Sequence, residues 1–433
     1  MTDVTTGAKE TSASTSTWDR DAVLERYRRH VNVGLAKLGE FMNLPLEVRS
    51  DGCLVFDEHG EAYLDCGGYG VFILGHHHPA IIEAVREQLD RHTLATRVLL
   101  NPDLARAAET LAGVAPRGLD YVFFTNSGTE ATEAGIKIAR LNGKRRLIAT
   151  HGGFHGKTMG ALSVTGRPHH QDPFRPLLPD VEFIRYGDAD ALREALKDRG
   201  DESCVILEPV QAEGGVNIPP EGYLRDVEAI CREAGAFFIM DEIQTGLGRL
   251  GAWWGADREA VVPDAILVGK ILSGSAVPVG ALVSTASAWE TLNRNPLLHT
   301  STFAGNPLAM AAAHAAVTTL KRDEIPERAR VLGAEILQTV RGIMEEQCPD
   351  LIVEVRGVGL LIAIEFKADY LAGDFMAQLL QRHVVVSHSL NTNRVMRLTP
   401  PAVLGESEKQ WLFNAVGEAA REMEHHKAEF AQV

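Results

Sequence analysis

What the chain has little of narrows the work it can do. Five cysteines are spread over 433 residues, Cys53, Cys66, Cys204, Cys231 and Cys348, with no C-x-x-C pair. An odd, scattered set excludes a disulfide framework and predicts reduced thiols in the cytoplasm. Basic charge is also short: 43 Lys and Arg stand against 58 Asp and Glu, a formal net charge of −15. That balance argues against a nucleic-acid surface, which needs a basic patch. No apolar run approaches the length of a membrane span. The opening "MTDVTTGAKETSASTSTW" has no apolar core of a signal peptide, and its Thr/Ser richness predicts a disordered tail over residues 1–18. The expectation is a cytoplasmic protein with no nucleic-acid or membrane partner. There is no internal repeat.

What is present is ordinary for a globular chain, 45% apolar and 23% charged residues. The length is more than one core usually serves, so two domains or one elaborated α/β domain are expected. "CLVFDEHGEAYLDCGG" predicts a hairpin turning at His59-Gly60. From about residue 80 short apolar runs, "YVFFTN", "RLIATH", "CVILEPV", "AFFIMDE", "AILVGK" and "GALVST", alternate with helical stretches. That pattern predicts a mostly parallel sheet covered on both faces. The expected division is an N-terminal segment over 19–79, a large domain over 80–322 and a smaller α/β domain over 323–433.

Two glycine patterns fail on context. Gly246, Gly248 and Gly251 spell G-x-G-x-x-G but lead into "AWWGADREAVVPD", which has no amphipathic helix for a dinucleotide turn to open. "HGGFHGKT" has His151 where a Walker A loop needs its first glycine. The adjacent histidines His76 to His78 point apart on an extended segment, so they are read as structural, and no metal site is expected.

Three other features belong together. The buried strand "AFFIM" carries Asp241 to the carboxyl edge of the sheet, where open α/β folds place ligands. A bare carboxylate there needs a cation or several donors. Lys270 closes another apolar strand and is followed by small residues, "ILSGSAVPVG". "FFTNSGTEA" is a strand, a turn and a helix start, whose free N–H groups and hydroxyls suit a phosphate. A carboxylate, an amine and a phosphate seat match what pyridoxal 5'-phosphate requires.

In chain order the motifs "LGHHHP", "FFTNSGTEA", "GGFHGKTMGALSVTG", "ILEPVQAEGG", "MDEIQTGLGRLG", "LVGKILSG", "STFAGNPLA" and "RLTPP" resemble those of the class III, or omega, pyridoxal-phosphate-dependent aminotransferases. The likeness runs from "EVRSDGCLVFDEHGEAYLD" to "RLTPPAVL". It implies a fold-type-I homodimer, with a seven-stranded, mostly parallel sheet in the large domain. It also implies transfer of an amino group between an amine or ω-amino compound and an oxo acid or aldehyde.

By the same resemblance Lys270 forms the internal aldimine and later moves the proton, while Asp241 keeps the pyridine nitrogen protonated. Ile243 and Phe154 cover the two ring faces, and Gln244 reaches the ring hydroxyl. Ser127, Gly128 and Thr129 seat the phosphate, completed by Thr302 from the other subunit. Glu213 and Arg397 match the family's gate, in which the arginine binds an α-carboxylate or pairs with the glutamate when the substrate has none. Tyr69 is an aromatic wall on the entry side. Ala276 and Val277 take bulk out of a loop at the pocket mouth, which suggests an extended or bulky amine. Decarboxylation, racemisation or a 1,2-aminomutase reaction on the same cofactor remain open at this point, as does a non-catalytic cofactor-binding regulator.

Overall fold

The structure, a computed structural model, describes residues 18–426. The expected tail, apart from Trp18, lies outside the described residues. The central feature is a seven-stranded sheet. Its strands lie in the order Leu119–Thr125, Gly280–Thr285, Ala265–Val268, Phe237–Asp241, Ser203–Leu207, Arg146–Thr150 and Val181–Ile184. Only Gly280–Thr285 runs antiparallel to its neighbours; the remaining pairs are parallel. The four middle strands from Arg146 to Val268 are buried along their whole length, which is why they read as unbroken apolar runs rather than alternating ones.

Helices that cover the sheet show the complementary pattern. In Tyr223–Ala234 the buried Leu224, Val227, Ile230 and Cys231 recur at helical spacing, facing the core. This helix stops at Gly235, whose φ of 67° is the left-handed conformation that glycine adopts without strain. The chain then reverses directly into Phe237–Asp241. Gly248 and Gly251 lie in turns, not at a helix start.

Two four-stranded sheets stand beside this unit. One joins the N-terminal hairpin, Leu54–Asp57 with Ala62–Asp65, to Glu47–Asp51 on one side and Val384–Val385 on the other. The second contains Ile352–Val358, Leu361–Phe366, Ser387–Ser389 and Thr392–Leu398. The N-terminal segment is therefore hydrogen-bonded to the C-terminal part of the chain. Arg249, fully buried, ties all three regions together by donating to the carbonyls of Gly70, Leu360 and Pro400. Among the described residues no helix is long and apolar enough to cross a membrane.

Candidate active site

Five parallel strands deliver side chains to one carboxyl edge. Asp241 is the last residue of its strand, and Glu208 follows Leu207 directly. Lys270 follows Val268 by two residues, and Ser127 follows Thr125 by two. The loop after Thr150 carries Phe154 and His155. These segments enclose a cavity of about 340 Å³, lined among others by Gly128, Thr129, Phe154, Asp241, Ile243, Gln244 and Lys270.

At its floor the Asp241 carboxylate is buried and doubly held. One oxygen lies 2.7 Å from His155 Nδ1, and the other accepts the Ile243 N–H at 3.0 Å. Burial alone would make the His155 imidazole easier to deprotonate. The hydrogen bond and charge of Asp241, with help from Glu208, outweigh that and raise its pKa. A carboxylate can only accept, so Nδ1 donates to Asp241, and the raised pKa makes His155 easier to protonate beside that charge.

Lys270 adopts a φ of 46°, an uncommon and strained conformation for a residue with a side chain. Burial lowers the pKa of its amine, with Arg397 acting in the same sense against the carboxylates of Glu213, Asp241 and Glu208. A lowered pKa leaves more of the amine as the free base, the form that acts as a nucleophile.

On the opposite side the helix Gly128–Leu141 begins at the cavity, capped by Ser127, whose hydroxyl accepts the Glu130 N–H at 3.3 Å. A Cβ at Gly128 would come within 2.9 Å of the Ile243 side chain, so only glycine lets the helix start this close. Its first N–H groups carry the positive end of the helix dipole, which favours an anion at the cavity edge lined by Gly128 and Thr129. The Thr129 hydroxyl is 2.9 Å from that of Thr158. Gln244 is buried with both side-chain amide atoms unpartnered among the described residues. Such atoms are costly unless a ligand meets them.

Arg397 and Glu213 form a fully buried ion pair, Nη2 to Oε1 at 2.8 Å. The second Glu213 oxygen accepts the Leu390 N–H at 2.9 Å. Arg397 Nη2 also reaches the His388 carbonyl at 3.3 Å, while Nε and Nη1 have no partner among the described residues.

The chain fold brings together Ser127, Gly128, Thr129, Phe154, Glu213, Asp241, Ile243, Gln244, Lys270 and Arg397. It does not bring Tyr69 or Thr302 into the cavity wall. Tyr69 is 64% exposed on a turn with φ of 52°, and Thr302 is exposed on a loop. Ala276 and Val277 pack against the main core instead of lining the cavity. Sequence reasoning missed His155, Glu208 and Lys157, all of which line it. Glu208 carried a readable signal, a carboxylate ending an apolar strand as Asp241 does. His155 carried none, because its partner lies 86 residues away. His76, read as structural, is buried 2.9 Å from Asp65.

Comparison with known proteins agrees with this geometry. The family model for aminotransferase class-III matches residues 39–419. The putrescine aminotransferase of Pectobacterium atrosepticum is 42% identical over 397 residues, covering 88% of this chain and 85% of the relative. An ornithine aminotransferase structure from Toxoplasma gondii, which has pyridoxal phosphate at partial occupancy in its active site, superposes with a TM-score of 0.87. It is 32% identical, with 96% of this chain and 97% of that chain covered. An (S)-enantioselective omega-transaminase from Thermomicrobium roseum gives a TM-score of 0.86 at 28% identity, covering 94% and 99% of the two chains.

Proposed function

The chain belongs to the class-III aminotransferases, and from that premise we propose that this pyridoxal-phosphate-dependent enzyme takes its amino group from an unbranched ω-amine of the diamine class. The acceptor is an α-oxo acid of the glutamate type. The observation that carries this reading is the closed Glu213–Arg397 pair. With its arginine neutralised, the site receives an amine that has no α-carboxylate; when the pair opens, Arg397 is free to hold the carboxylate of an oxo acid. The 42% identity to a putrescine aminotransferase supports a diamine.

The residues present fit the cofactor, as the orphaned Gln244 amide and the glycine-lined helix start indicate. Asp241 would hold the pyridine nitrogen, Phe154 and Ile243 the ring faces, and Gln244 the ring hydroxyl. Ser127, Gly128 and Thr129 would hold the phosphate, and Lys270 the reactive carbon. When bound, the cofactor supplies an aldehyde that condenses with amines and a cationic ring that draws off electron density. The chain's own contributions follow from the geometry. Asp241, steadied by His155 and the Ile243 N–H, presents a fixed negative charge that keeps a proton on its partner nitrogen. Lys270, whose amine burial makes easier to deprotonate, is the group able to accept and return a proton at the substrate carbon. The buried walls exclude water from that transfer.

The same reading makes the enzyme a homodimer whose site needs both copies. Val98, Leu99 and Leu100 are exposed, Leu100 completely. Arg97 and Asn101 bond to the carbonyls of Ala304 and Gly305, so this apolar run lies beside Thr302 and the exposed Phe303. A contiguous exposed apolar face of this kind calls for a partner surface. A second copy seated there would cover it and would bring Thr302 towards the phosphate seat across the interface. Tyr69 would stand at the entrance, and the large domain would span 80–322, with the segment 19–79 packed against the smaller domain 323–433 through the strand pairing of Ala62–Asp65 with Val384–Val385. The test is a donor panel running from putrescine through longer diamines to branched arylalkyl amines, read by cofactor absorbance without acceptor. Bleaching by branched amines alone would refute the reading.

A further inference from the structure

Glu208 is a buried carboxylate that none of the roles above uses. It lines the cavity where its strand Ser203–Leu207 ends. Its Oε1 accepts the Phe154 N–H at 2.9 Å, and its Oε2 accepts the Ala212 N–H at 3.1 Å. The first bond reaches the loop whose ring forms one wall of the cavity. The second reaches the tight turn that presents Glu213 to Arg397. The Glu208 carbonyl in turn accepts the buried Tyr186 hydroxyl at 3.0 Å, which anchors the backbone of the clasp.

We propose that Glu208 is a positioning residue that ties the aromatic wall at Phe154 to the Glu213 turn. Through this one carboxylate, the placing of the cofactor ring and the setting of the carboxylate gate are coupled. The inference rests on the proposed function for the roles of Phe154 and Glu213. Its physical basis is the geometry of two acceptors and two donors. The two oxygens of a carboxylate satisfy two N–H groups at once, and no other side chain of this shape offers two acceptors. Leaving either N–H unmet in this buried place would release its loop. Burial pushes the Glu208 carboxyl up to about 7; the His155 charge opposes the rise, Asp241 adds to it, and the two backbone donors oppose it. A protein keeps so unfavourable a group where its two-sided reach is needed. An interior chosen for packing alone would hold an apolar residue.

The test variant is Glu208→Gln, which keeps size and one acceptor but turns an NH2 group towards one of the two backbone donors. On the cofactor-free protein, hydrogen exchange at Phe154 or Ala212 should quicken at least tenfold while exchange in the central strands stays as in wild type. On the loaded enzyme, KM for a glutamate-type donor relative to that for putrescine should shift at least fivefold, with the cofactor retained. The induced circular dichroism of the cofactor band should also fall. A uniform loss of kcat with both KM values and both exchange rates unchanged overturns the proposal, since a merely structural residue would give it. If the glutamine variant does not fold, Glu208→Asp, with both acceptors drawn back by one methylene, should show the same shift in smaller degree; no shift there overturns it as well. Arg397→Ala serves as the control. If it leaves the glutamate-type KM untouched, the gate reading fails and this inference fails with it. If the control behaves and the Glu208 variants do not, only the inference falls.

Discussion

Removing Glu213 should separate the two classes of substrate. Glu213→Ala deletes the carboxylate bonded to Arg397, a fully buried side chain. What remains to the guanidinium among the described residues is the His388 carbonyl at 3.3 Å, because Nε and Nη1 have no partner among them. The Leu390 N–H loses its acceptor too. Breaking a buried pair by removing one partner costs about 3–5 kcal/mol, most of it the penalty of the charge left behind. An amine without an α-carboxylate must bind beside that bare charge. Its kcat/KM should fall by roughly 30- to 3,000-fold, taking about 2–5 kcal/mol for a desolvated pair and 1.4 kcal/mol per tenfold. A glutamate-type substrate brings its own carboxylate and no longer has to displace Glu213, so its kcat/KM should hold or rise. The assay is steady-state kinetics with putrescine and with glutamate, alongside thermal unfolding of the same preparations. Unfolding adds an independent check: in Glu213→Ala combined with Arg397→Met, no charge is left buried, and much of the lost stability should return. Equal losses for both substrates, or a double variant no more stable than the single one, would refute the reasoning.

Four further outcomes are expected. Lys270→Ala should abolish turnover, and borohydride treatment of wild type should label Lys270; an unmodified Lys270 in cofactor-loaded protein would sink the assignment. Asp241→Asn should cost several orders of magnitude in rate and much less in cofactor affinity, because a neutral amide cannot hold a ring proton; near-normal turnover would show that this charge is not needed. Sedimentation should find a dimer, and a stable monomer made by charging Leu99 and Leu100 should be inactive; an active monomer contradicts the shared site. Burial raises the Glu242 carboxyl from 4.5 to about 7, against its donors Thr245, Ala256 and Gly255. Its folded pKa is thus above the unfolded one, so its contribution is full below about pH 4.5 and is lost as pH rises through about 7. Relative to wild type, Glu242→Gln should gain up to about 3 kcal/mol between pH 5 and pH 8 in denaturant unfolding, and a pH-independent difference would refute the shift.

The sequence by itself determined the layered α/β sheet. Strands buried on both faces must be apolar throughout, so "AFFIMD", "CVILE" and "AILVGK" announce both their structure and their place. It also determined the chemistry at their ends, since Asp241 and Lys270 close apolar runs where a charge needs a reason. The Ser127–Thr129 turn was legible because capping is local. Tertiary structure alone decided how those ends meet. The bond between His155 and Asp241 spans 86 residues, that between Arg397 and Glu213 spans 184, and the Glu208 clasp reaches 54 residues back to Phe154. No periodicity or spacing encodes such pairs, because they depend on strand order in the sheet and on the docking of the C-terminal strands against the large unit. Ala276 and Val277, expected at the pocket mouth, are half-buried and pack against the core. Tyr69 and Thr302 are exposed in the single chain, and Thr302 is expected to act across a subunit interface, so their neighbours are set by three-dimensional packing and assembly and not by their neighbours in the chain.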